Sequence, residues 1–149
     1  MTRRAAALGR DQRGTAILET ALTLPLILLV SVGIFEFGRA YQTWQVLTNA
    51  AREGARVAVL PGVTDVAVTN RVTEYLTTGA IGRVDDADVS IVRDEEISLG
   101  SGTASASRVT VTYPYEFIVL EGVAELVTTG TTVGEPLTMS ATALMRNEQ

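Results

Sequence analysis

The sequence predicts an α+β fold: one long N-terminal helix, membrane-spanning over its first half, packed against a small three-stranded antiparallel sheet with one or two short helices. Three observations predict it. The run from Thr15 to Phe35, TAILETALTLPLILLVSVGIF, carries Glu19 as its only charged side chain. Helical spacing of apolar and small residues continues beyond it, with no proline from Glu36 to Leu60. Three later segments alternate apolar and polar residues with the two-residue period of strands.

Residues 1–14, MTRRAAALGRDQRG, are short, basic and without apolar periodicity, and they predict a disordered cytoplasmic leader. A cleaved secretory signal is a poor fit. The apolar region is longer than usual for one, and no small-x-small site follows it before Phe35. Residues 15–35 are predicted to be a transmembrane helix, since twenty-one residues at about 1.5 Å each match the roughly 30 Å hydrocarbon thickness of a bilayer. The alternative is a buried helix of a soluble domain, but a chain of 149 residues seldom hides so long an all-round apolar helix.

Charge gives the orientation. Arg3, Arg4, Arg10 and Arg13 against Asp11 give the leader a net +3; subtracting this from the total of −5 leaves −8 for the remainder. A basic cluster just before an apolar helix places the N-terminus in the cytoplasm and the acidic body outside the inner membrane. An acidic body also argues against nucleic acid as a partner. The absence of histidine and cysteine removes the usual zinc sites, thiol nucleophiles and histidine triads, so neither a cofactor nor a small-molecule substrate is expected.

Gly14 directly precedes the apolar run and Glu19 is the fifth residue after it. An unpaired carboxylate one turn inside a membrane edge costs on the order of a few kcal/mol. Cleavage after Gly14 would place a new α-amino group on Thr15, an i,i+4 partner of opposite charge for Glu19, in the same chain or a neighbouring one. The plain alternative is that Glu19 simply reaches to the interface. Pro25 removes one backbone hydrogen bond within the span and predicts a bend near Ala21 to Pro25, with the freed carbonyl met by Thr20, Thr23 or a neighbouring helix, or else a merely tolerated membrane proline.

A glycine, four residues, then glutamate opening an apolar helix after a basic leader resembles the prepilin-peptidase site of type IV pilins. The continuation, with Pro25, then Glu36-Phe37-Gly38-Arg39, then Asn49-Ala50-Ala51-Arg52-Glu53-Gly54-Ala55-Arg56, is similar to the N-terminal signature of TadE-like pseudopilins, the minor subunits of tight-adherence (Flp) pilus systems. The resemblance covers about Arg13 to Gly62. It departs at Thr20, where the family commonly has an aromatic residue. What it implies is removal of residues 1–14 by a prepilin peptidase that recognises Gly14 and Glu19, followed by association with other pilins and the membrane-embedded assembly platform. Glu19 and Pro25 would be the assembly residues.

From Glu36 to about Leu60 the helix is predicted to continue outside the membrane, its apolar positions Trp44, Leu47, Ala51, Ala55 and Ala58 advancing by three or four. Phe35, Phe37, Tyr41 and Trp44 form an expected aromatic belt. Glu36 can pair with Arg39, and Asn49 with Glu53. The small residues Ala50, Ala51, Gly54, Ala55 and Ala58 offer a face on which a sheet can sit closely. Gln42, Gln45, Asn49, Arg52 and Arg56 form a polar stripe, solvated or interacting. Pro61-Gly62 ends the helix.

Residues 61–149 are expected to form a small external α+β domain. A helix from Asp65, its proposed N-cap, runs to Thr78 and is followed by a turn-rich connection to Asp86. Strands are predicted over Ala87–Arg93, Ser107–Glu116 and Pro136–Met145, with Pro114 marking an edge strand or a strand end. The acidic stretch Asp94–Ser105 reads as a solvated loop. A calcium site there would use Asp85, Asp86, Asp88, Asp94, Glu95 and Glu96, but the spacing of a calcium-binding loop is missing, and no metal is expected. A short helix is predicted from about Val119 to Val127. The function these readings favour is structural. A single-pass anchored binding module that never polymerises is the main alternative, and an enzyme acting through the carboxylates of Asp85 to Glu96 lacks a paired acid and base.

Overall fold

The computed structural model describes residues 12–100, 102–119, 122 and 136–147. The chain divides into two compact units, Met1–Phe35 and Glu36–Gln149. Helix α1, Gln12–Ala58, contributes to both. The α+β class and its parts are as predicted: a long helix, a short helix and a three-stranded antiparallel sheet.

In the first unit, α1 begins three residues earlier than expected, at Gln12 rather than Thr15, so the last residues of the supposed leader are helical. Every residue from Gly14 to Ser31 is exposed, although half of them are large and apolar; Leu22 is 78% exposed. Three of its hydroxyl groups are satisfied within the helix. Thr20, Thr23 and Ser31 donate to the carbonyls of Ala16, Glu19 and Ile27, four residues back. The carbonyl freed by Pro25 belongs to Ala21, so neither Thr20 nor Thr23 meets it as anticipated.

In the second unit, α1 presents Ala40, Leu47, Ala50, Ala51, Ala55 and Ala58 to the core at intervals of three or four. Trp44, expected on this face, is largely exposed and packs on Tyr41, ring centroids 6.2 Å apart. The helix closes with Gly62 at φ 77°, a conformation that suits a residue without Cβ. Helix α2, Asp65–Thr78, buries Val68, Val72 and Leu76. Its N-cap is Thr64, whose hydroxyl accepts the Ala67 N–H, and not Asp65, which is the first helical residue. A single 3-10 turn, Val84–Asp86, leads into the sheet.

Strands β1 (Asp88–Leu99), β2 (Gly102–Tyr115) and β3 (Leu137–Arg146) form the sheet in the order β1-β2-β3. Val109, Val111, Tyr113 and Tyr115 of β2 face the core beside Ala141 of β3. Ser140, Thr110 and Thr142 lie on the opposite face, where the two threonine hydroxyls are 3.0 Å apart. One face covered and one wet is the arrangement that clean alternation demands.

One expectation about the sheet is corrected. The acidic stretch after Arg93 is strand rather than loop, because β1 and β2 continue pairing to Leu99 and Gly102 past a bulge between Val92 and Glu95. At the bulge Asp94 adopts φ 54°, and its carboxylate accepts from Ser105 and Asn147. Pro114 lies on the central strand one residue before its end, the second of the two places expected for it. Pairing with β1 stops at Thr112, so at Pro114 the strand has only β3 as a neighbour. The helix predicted from Val119 to Val127 falls almost wholly outside the described residues.

Candidate functional site: the helix N-terminus and the signature clamps

Gly14, Thr15 and Glu19 all lie on α1 and all are exposed. A Cβ built on Gly14 meets nothing within 4 Å, so no packing within the chain requires glycine there. Glycine in a helix costs about 1 kcal/mol relative to alanine. The carboxylate of Glu19 takes part in no ion pair among the described residues. Arg3, Arg4 and Arg10 lie outside the described residues, as does the side chain of Arg13.

The Glu36-Phe37-Gly38-Arg39 signature has a different job. Glu36, the first residue of the second unit, is fully buried. Its carboxylate accepts the backbone N–H groups of Ile118 (3.1 and 3.2 Å) and Val119 (3.1 Å), and pairs with Arg39 at 3.3 Å. Arg39 in turn donates to the Glu116 carbonyl at 2.7 Å and lies 4.9 Å from the centre of the Tyr115 ring. Its Nε has no partner, and the aromatic face supplies the remaining favourable environment for the cation. The Tyr115 hydroxyl donates to the Glu36 carbonyl at 3.4 Å, and Phe117 meets both Tyr115 and Phe37 edge-on. Burial opposes the charged form of Glu36, but the two backbone donors and Arg39 outweigh it and hold the carboxyl below its ordinary value. Burial pushes the Tyr115 hydroxyl up.

The sequence anticipated the Glu36–Arg39 pair but not what it grips. The available clue was an acid set among aromatic residues, which usually needs hydrogen-bond donors close by.

The second signature stretch is also internal. Glu53 does not pair with Asn49. It accepts from Arg56 at 2.8 and 2.9 Å and from Arg71 of α2 at 3.0 and 3.1 Å, and Arg71 continues to Glu74 at 2.9 Å. Glu53 thus joins α1 to α2 through Arg71 and engages Arg56 of the polar stripe, while Arg52 stays exposed. Next to it Gly54 is a close approach in the core: a Cβ there would lie 2.6 Å from Val72 Cγ2 and 3.1 Å from Val109 Cγ1. At the far end, Arg93 reaches from the bulge to Asp65 (2.6 Å) and to the carbonyls of Ala58 (2.7 Å) and Val63 (3.0 Å), which satisfies the end of α1.

The Glu53 carboxyl is held at about 2, against an ordinary 4.5, chiefly by the hydrogen bond from Arg56; burial opposes this and Arg71 reinforces it. A depressed folded-state value contributes stability that is fully present above about pH 4.5 and is lost as the pH falls through 2. Both arginines are well exposed, so solvent screening reduces the contribution to about 1–2 kcal/mol. Glu53→Gln is thus expected to melt below wild type at pH 7, with the gap closing as both are titrated toward pH 2 to 3. A gap independent of pH in thermal melts would contradict the ion-pair account.

A cleft of about 450 Å³ opens among Arg39, Gln42, Arg83, Tyr113, Tyr115 and Glu116. Its charges are already matched, Arg39 by Glu36 and Arg83 by Asp86 and Glu116. The acidic residues of β1 are likewise engaged: Glu95 pairs with Arg108, and Asp94 is hydrogen-bonded to Ser105 and Asn147.

These features define an α+β protein whose N-terminal helix has the length and composition of a single-pass membrane anchor. Residues 14–56 match the model of the family described as TadE-like protein, the family whose signature the sequence resembles over this stretch. The matched stretch holds Gly14, Glu19, Glu36, Arg39, Glu53 and Gly54. No curated protein and no solved structure matches the chain.

Proposed function

We propose that the chain is a pilin-like structural subunit of a tight-adherence (Flp-type) pilus, processed by a prepilin peptidase after Gly14. In this reading residues 15–35 of α1 are held in the inner membrane with the N-terminus cytoplasmic and the sheet-bearing unit outside. The partners are the peptidase, sibling pilins and the assembly platform. The observation that carries the reading is a solitary exposed acid, Glu19, on an exposed apolar helix, five residues after a glycine that nothing in the chain's own packing requires.

The chemistry follows from the environment. A carboxylate in lipid without a partner costs on the order of a few kcal/mol. Freeing the amine of Thr15 supplies a cation one helical turn away, in the same subunit or the next. Pairing across subunits then favours an assembled state in which each acid is neutralised, and the apolar surface of α1 is shared among helices. Pro25 sits one turn and a half further on, where it sets how neighbouring helices lean.

Glu19→Ala is expected to insert in the membrane at wild-type levels and to lower surface piliation by an order of magnitude or more, about the loss of one charge pair in lipid. Pilus counts by electron microscopy, alongside membrane fractionation, check it. Normal piliation in the variant would remove the pairing role and leave an anchored, non-polymerising module.

A further inference from the structure

The backbone that Glu36 grips leads outward to apolar side chains. Ile118 is 67% exposed and Val119 41%, and Phe37, edge-on to Phe117, is 64% exposed. Tyr41 and Trp44 stand four and seven residues after Phe37, on one face of α1, and are exposed as well. The Tyr41 hydroxyl is hydrogen-bonded by the Gln45 amide at 2.7 Å. None of these side chains is charged.

We propose that this surface is a second membrane contact: the Ile118–Val119 segment enters the headgroup–acyl boundary, with Phe37, Tyr41 and Trp44 at headgroup level, so that lipid covers it. The inference rests on the membrane reading of α1 given above. Continuity argues for lipid, because Glu36 directly follows the apolar run ending at Phe35 and holds the segment at that end of the run.

Satisfaction of the backbone argues for it too. Irregular backbone near hydrocarbon must have its N–H groups bonded, and the Glu36 carboxylate does this for both Ile118 and Val119. Arg39 and the burial of Glu36 keep that charge internal. Dimensions are compatible as well, since Phe37 to Tyr41 rises about 6 Å along the helix, within the roughly 5–8 Å of polar zone on one side of a bilayer, and Trp44, about 4–5 Å further, lies at its outer edge. Tyrosine and tryptophan with wet tips suit that zone. Glu36 is then a positioning residue that holds an apolar segment for contact with the membrane.

The chain has no cysteine, so single labels are clean. Ile118→Cys, Leu26→Cys and Ser140→Cys variants of the full chain, each carrying a nitroxide, are reconstituted in phosphatidylcholine–phosphatidylglycerol vesicles. Power-saturation EPR then compares accessibility to oxygen and to a water-soluble nickel chelate. The expected result is Leu26 deep in lipid, Ser140 in water, and Ile118 shallow in lipid, with several-fold less nickel access than Ser140. Trp44, the single tryptophan, should be quenched by lipids brominated near the headgroup.

An Ile118 label as accessible to nickel as Ser140, with Leu26 still in lipid, overturns the docking while leaving the span intact. A Leu26 label in water overturns both. A label at Ile118 shielded from both reagents and dipolar-broadened by a second label would assign the surface to another copy of the chain, against lipid.

Discussion

Glu36→Ala is expected to lower the stability of the full-length protein by about 2–3 kcal/mol, read as a fall in melting temperature on the order of 10 °C in detergent or nanodiscs. The substitution removes the acceptor for two backbone N–H groups and strands Arg39, which already has one unpartnered nitrogen. Breaking a fully buried pair typically costs about 3–5 kcal/mol. The smaller figure is appropriate here because the side chain of Arg39 is 32% exposed and regains water. Glu36→Gln keeps an oxygen acceptor and the shape, so it should lose less than half as much. Circular-dichroism melts of the three proteins decide it. An Ala variant that melts with wild type would mean the clamp does not hold the segment after β2.

Gly54→Leu is expected to have the largest effect on folding, a loss of more than about 3 kcal/mol or failure to accumulate, because the added atoms enter a space already taken by Val72 and Val109. Valine is β-branched and cannot swing its methyls aside without moving its helix or strand. Gly54→Ala gains about 1 kcal/mol of helix propensity and loses more to overlap, giving a net loss of about 1–2 kcal/mol. Two comparisons make the test specific. Gly38→Ala, where a Cβ meets nothing, should be neutral or slightly stabilising. Adding Val72→Ala to Gly54→Ala should recover part of the loss, because the two sites share one space. If Gly54→Ala and Gly38→Ala behave alike in melting experiments, Gly54 does not mark the close approach.

Much of the fold was legible because its parts obey simple periods. The small residues of α1 and the alternation through Val109, Val111, Tyr113 and Tyr115 name the two surfaces that meet. What a period cannot reveal is a change of phase. The bulge sets Arg93 and Asp94 opposite Ser107, so the alternation of β1 restarts at Glu95, and an acidic, Ser/Gly-rich composition then reads as loop. It equally cannot reveal distant partners. Spacing offered Glu36 only the nearby Arg39 because the amides it accepts lie 82 and 83 residues away, and it assigned Glu53 to Asn49 because Arg71 is on another helix.

The signature residues therefore divide by physical role. Glu36, Arg39, Glu53 and Gly54 are explained by contacts within the second unit, whereas Gly14 and Glu19 have no partner there or elsewhere among the described residues. Residues that a fold does not need in its own packing point to chemistry with other molecules, and that contrast is what motivates the processing and pairing roles.

Intact mass, with N-terminal sequencing, of the protein extracted from its native membranes tests the central claim most directly. The account predicts a chain in the membrane fraction that begins at Thr15, lacking the first fourteen residues. A chain still beginning at Met1 and recovered from the soluble fraction would contradict it.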